Sequence, residues 1–165
     1  MTERERVLDM LARVHSGDPW HGPSVMASLD GIDAVRASAR PLPETHSIWE
    51  IAQHVIAWRR EVAARLRGKP PSTPASGDWP APRTGEPAWA ETKAALEASH
   101  RELVAAVADL ADAALERPVG QSRDAAVGAG VSVAIMLHGI VQHDVYHAGQ
   151  MSILAKALRS APEAR

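Results

Sequence analysis

No stretch of this chain alternates apolar and polar residues as a half-buried strand does, whereas four stretches repeat apolar residues at steps of three and four. Residues 3–15 place Val7, Leu11 and Val14 at such steps. A second segment opens at Thr45 or Ser47 as possible caps, runs through Ile51, Val55, Trp58, Val62 and Leu66, and stops at Gly68 before two prolines. The third, beginning near Ala88, carries Trp89, Leu96, Leu103, Val107 and Leu110. The fourth, Val131 to Leu158, lines up Val133, Leu137, Ile140, His147, Met151, Leu154 and Leu158 on one face. Four amphipathic helices without a strand pattern predict an all-α four-helix bundle, with any cofactor site built in its core from facing helices.

The connections fit that expectation. Residues 17–43 mix Gly and Pro with two short helix-compatible pieces, 24–29 and 32–39. Residues 69–87 are too rich in Pro, Ser and Gly for regular structure, and Trp79 within them is expected to pin the loop to the body or to act as a lid. A further loop lies around 117–130. At 165 residues, with no internal repeat, the chain is expected to form one domain over 1–165.

Composition narrows the chemistry. Cysteine is absent, which excludes disulfides and thiolate metal sites and leaves His, Asp and Glu as the strong ligands. Lys and Arg total 18 against 20 Asp and Glu, with no basic run, so no electrostatic footprint for nucleic acid or an anionic membrane is present. Small-molecule partners are expected. The charged amino terminus shows no cationic leader and no long apolar span occurs, so the expected location is cytoplasmic. Phenylalanine is missing while tryptophan occurs five times. Packing is the expected role of Trp58, and the sequence leaves open whether Trp20, Trp58 and Trp79 line a pocket.

The segment "HGIVQHDVYHAGQ", 138–150, sets three histidines and one aspartate in an otherwise apolar helix. Buried imidazoles are costly without compensation. His143 and His147, four apart, stack one turn apart and can grip one ion together. His54 lies at the edge of the second helix's apolar stripe and could supply a third ligand. Three neutral imidazoles suit Zn, Ni, Cu or Fe and leave a position for water or substrate. Hydrogen-bonded core histidines are the alternative. "HDVYH" also approximates the His-Glu-x-x-His pattern of zinc proteases, but Asp is one methylene shorter and no third ligand follows at the required spacing. Asp144 could accept from a ligand histidine, act as a general base, or pair elsewhere in the helix. His100, beside the third helix's seam, is a lesser candidate for lining the site, and His138 is expected to pack or face solvent. Tyr146 and Gln150 could hydrogen-bond a ligand or brace a neighbour, and Glu50 could orient His54 or be solvated.

"SIWEIAQHVIAWRREV", "DWP" and "LHGIVQHDVYHAGQMSILAKAL", in that order, resemble the DinB/YfiT-like superfamily of metal-binding four-helix bundles. The resemblance implies that His54, His143 and His147 hold a divalent metal, zinc or nickel foremost, and that the protein is a homodimer. Some relatives resemble S-transferases that use a low-molecular-weight thiol as co-substrate. The resemblance therefore implies either a thiolate at the site attacking an electrophile, or a hydrolase activating water there with Asp144 or another carboxylate moving the proton. A non-catalytic metal-binding stress protein is the third reading.

Overall fold

A computed structural model describes residues 1–160; the last five residues of the expected domain lie outside them. Its helices are α1 (Glu3–His15), α2 (Ala34–Ser38), α3 (Ile48–Leu66), α4 (Glu86–Ala108) and α5 (Val133–Ser160), with 3-10 turns at Ala27–Leu29 and Asp112–Glu116. The fold is all-α, as expected. Among the described residues there is no strand, only the isolated antiparallel bridges Pro118–Ser132 and Asp124–Ala129 that shape the loop before α5. No helix among them is long and apolar enough to cross a membrane.

Local chemistry explains the helix starts. Thr2 and Glu5 form a capping box on α1, and Ser47 with Glu50 does the same on α3, satisfying backbone N–H groups that have no intrahelical acceptor. Of the two possible caps, Ser47 is the one used. Helix α4 starts at Glu86, earlier than the loop 69–87 suggested, because Pro87 sits in its first turn, where a missing N–H is harmless. The short α2 occupies the connection where a helical piece was expected, capped by Asp33.

The four long helices form a closed arrangement in which α3 packs against α4 and α5, and α1 packs against the same two. The apolar stripes meet in two clusters. One joins the first half of α3 (Ile48, Ile51, Val55) to the last half of α5 (Met151, Leu154, Ala155), together with Trp89 and Leu96 of α4. The other joins Val62 and Leu66 to Val133, Leu137 and Ile140, with Val7, Leu11 and Leu103. This pairing makes α3 and α5 antiparallel. Trp49 and Trp89 are fully buried, and each indole N–H donates, to Thr92 Oγ1 and to the Ile32 carbonyl, both at 2.8 Å. Large aromatic area is thus buried without leaving a donor unpaired.

Between the two clusters lies a belt of buried polar side chains: His15, Arg59, Ser99 and Asp144, each at most 1% exposed. The histidines of α3 and α5 sit at the same level, on the side reached by residues 78 and 79.

Candidate metal centre

His54 projects from α3, and His143 and His147 from consecutive turns of α5. One ring nitrogen from each of the three lies within 4.8 Å of the others. The helical spacing supplies the pair, and the antiparallel packing of α3 on α5 brings in the third. His54 and His147 are buried, whereas the His143 side chain is 24% exposed.

The outer nitrogens face oxygen atoms. His54 Nδ1 lies 2.6 Å from the Asp78 carbonyl oxygen, and His147 Nδ1 lies 2.7 Å from Gln150 Oε1. His143 Nδ1 lies 3.5 Å from Asp144 Oδ1. With Nδ1–H directed at those oxygens, each ring presents its Nε2 lone pair inward. His54 Nε2 and His143 Nε2 face each other at 2.9 Å. Two lone pairs that close repel unless a proton or a cation sits between them. Nitrogens bound tetrahedrally to one zinc ion at 2.0–2.1 Å lie about 3.3 Å apart, so a small rotation of either ring accommodates the ion.

Burial, followed for His54 by the nearby His143, lowers the proton affinity of His54. Burial and His143 push His147 down to about 4. Both rings are therefore neutral at pH 7, the form that binds a metal. The residues present fit a divalent ion.

The other sequence candidates fall into place around this centre. Asp144 does not face the convergence point of the three Nε2 atoms. It lies behind His143, fully buried, and accepts from Arg59 Nε at 2.8 Å. Burial alone would raise its proton affinity, but the Arg59 guanidinium and His143 outweigh that and hold the carboxyl below its ordinary range. Of the roles open to Asp144, the geometry matches a buried ion pair that also approaches the His143 ring. Glu50 does not orient His54, because its carboxylate closes the α3 capping box and takes Arg40. His100 stacks on His15 with ring centroids 4.0 Å apart, away from the centre. His138 bonds Glu3 at 2.6 Å on the bundle surface. Gln150 braces His147, and Tyr146, 64% exposed, meets the His147 ring edge-on at 5.1 Å.

Asp78 and Arg59, to which the sequence assigned no role, and Trp79, expected to pin its loop or to act as a lid, complete the surroundings of the centre. Asp78 serves His54 through its carbonyl and Trp58 Nε1 through its carboxylate at 2.7 Å. Trp79 stacks on His54 at 3.9 Å and on His46 at 3.6 Å, which pins the long loop to the centre. Trp20, by contrast, is fully exposed. Arg59 was legible only as a charge in a largely apolar helix.

Fold and site together define a helical bundle whose core presents a three-imidazole site able to hold a divalent ion. The model of the DinB superfamily matches residues 20–151, and the chain belongs to that superfamily. No curated protein and no solved structure matches it. Family membership and the His54, His143, His147 cluster fit a metal-binding protein of this superfamily.

Proposed function

We propose that the protein is a metal-dependent S-transferase that joins a low-molecular-weight thiol to an electrophilic small molecule. His54, His143 and His147 would hold the ion, with zinc or nickel suited to three imidazoles. That ion supplies Lewis acidity, which favours the thiolate of a bound thiol over the thiol at neutral pH. The thiol proton leaves to solvent past the exposed edge of His143. The sulfur lone pair forms the new S–C bond while the bond to the leaving group breaks with its electron pair. Asp78, Trp79 and Gln150 keep the ring planes of His54 and His147 fixed during this exchange, and the sequence, which contains no cysteine, offers no thiolate to compete with the incoming thiol.

One observation carries the choice of a thiol over water. Both carboxylates that touch the ligand rings do so at Nδ1: Asp78 beside His54 at 3.4 Å, and Asp144 beside His143 at 3.5 Å. Neither lies where the Nε2 atoms converge, and Asp144 is locked to Arg59. Hydrolysis wants a general base within hydrogen-bond reach of the attacking water. A thiol, acidic enough to ionise under a cation's influence, does not need one. On this reading the protein is a cytoplasmic homodimer acting on small molecules.

The test is elemental analysis of untagged protein, followed by titration of the Co or Ni form with small thiols while recording absorption. About one ion per chain and a thiol-dependent charge-transfer band are expected. A bound ion without any thiol response, together with a pH-rate profile reporting a water pKa, would replace transfer by hydrolysis.

A further inference from the structure

A groove of about 340 Å³ begins at His143 and runs along the α3–α5 seam. Its walls are Trp58 and Val62 of α3 and Met136, Gly139 and Ile140 of α5, and the loop 123–128 covers one side. Trp58 and His143, their rings 6.4 Å apart, mark one end. Arg65 and Met136, each seven residues along its helix, mark the other, so the groove extends about 10 Å from the histidine centre.

Two features point to an occupant. The first is charge: the lining includes Arg65 and Arg123 and no acidic side chain. Arg65 is already committed, donating to Glu61, the Val127 carbonyl and the Ser72 carbonyl. Arg123 is exposed, gives one bond to the Ala129 carbonyl at 3.0 Å, and has no carboxylate partner among the described residues. Its position is built in. A side chain at Gly130 would come within 2.5 Å of the Arg123 backbone, so only glycine lets the loop fold back and set Arg123 at the groove.

The second feature is Gly139. Glycine inside a helix is unfavourable relative to alanine, because the unfolded chain loses more freedom. Packing does not demand it here, since a Cβ at Gly139 would meet nothing within 4 Å. What the missing side chain leaves is open space along the groove.

We infer that this groove binds an amphiphilic carboxylate, its apolar body lying along Val62, Gly139 and Met136, its anionic head paired with Arg123, and its far end delivered to His143. As the electrophile's binding site, this deepens the transferase reading and rests on it; as a binding site, the groove needs no metal.

Octanoate is the probe, with octanol and octylamine as neutral and cationic counterparts, titrated calorimetrically into chelator-treated and zinc-loaded protein. Octanoate should bind both forms more tightly than octanol, and octylamine should not bind. Arg123→Ala should weaken octanoate roughly tenfold and leave octanol unchanged, as expected for loss of one charge-assisted contact. Gly139→Leu should abolish binding of both without lowering the melting temperature. Equal binding of octanoate and octylamine, or full octanoate binding by either variant, would overturn the inference. So would a Gly139→Leu protein that binds octanoate normally but changes its mass in solution, since that face would then belong to a protein interface. A thiol band in the Co form without octanoate binding would remove the groove and keep the transferase; octanoate binding without a thiol response would do the reverse.

Discussion

Arg59 Nε donates to Asp144 Oδ2 at 2.8 Å with both side chains fully buried, while the other oxygen of the same carboxylate lies 3.5 Å from Nδ1 of His143. A charge pair in the bundle interior thus stands directly behind a candidate metal ligand. Removing Asp144 leaves Arg59 ionised without a counter-charge in a low-dielectric environment, with only the His15 ring and the Leu96 carbonyl beside it. Asp144→Ala should cost about 3–5 kcal/mol, read as a lower urea midpoint at unchanged slope. A loss below about 1 kcal/mol would show that water reaches the guanidinium and that the pair is not structurally demanding.

His147→Ala should abolish stoichiometric metal binding, by elemental analysis after reconstitution, while far-ultraviolet circular dichroism stays helical. The ring is buried but belongs to neither apolar cluster, so its loss removes a ligand more than it removes packing. Tight binding retained by this variant would return the three histidines to the role of hydrogen-bonded core residues.

Trp79→Ala should weaken zinc binding by about 10- to 100-fold, the usual effect of removing a group that orients a ligand. The indole stacks on His54 and holds the loop that presents the Asp78 carbonyl to that ring. Competition against a chelator of known affinity measures it. An unchanged affinity would mean that the Asp78 carbonyl alone positions His54.

Stability should fall on mild acidification. Burial, reinforced by His15 and Arg59, pushes His100 down to about 4, and burial with Arg59 also lowers His15. An unfolded histidine titrates near 6.5, so between about pH 6.5 and pH 4 the unfolded chain binds more protons than the folded one. Stability is therefore lost as pH falls through that window, and the histidine contribution levels off below it. His100 alone should contribute a loss of about 2 kcal/mol between pH 7 and pH 5. Urea denaturation of His100→Asn at both values should show a shallower pH dependence than the parent; an equal slope would place the acid sensitivity elsewhere.

Much of this architecture was readable along the chain. The α5 stripe and the i, i+4 spacing of His143 and His147 are properties of one helix, which backbone geometry alone dictates, and Ser47 followed by Glu50 marks a helix start by local hydrogen bonding. Asp78 was not readable as a partner of His54, because its contact is made by a carbonyl, which every residue has. His100 and Glu50 had spacings as suggestive as that of His54. They diverge because His100 faces the buried belt beneath the centre and Glu50 is consumed by its own helix cap.

The sequence by itself determined the helices, their apolar faces, the exclusion of thiolate ligands and the pairing of two histidines on one turn-to-turn face, since all of these depend on composition or on spacing within an element. Only the tertiary structure decided that His54 joins that pair, that Asp144 spends its charge on Arg59, and that a groove carrying Arg123 opens beside His143. The first two of those relationships join residues 89 and 85 positions apart, and local periodicity carries no information about which faces of separate helices meet.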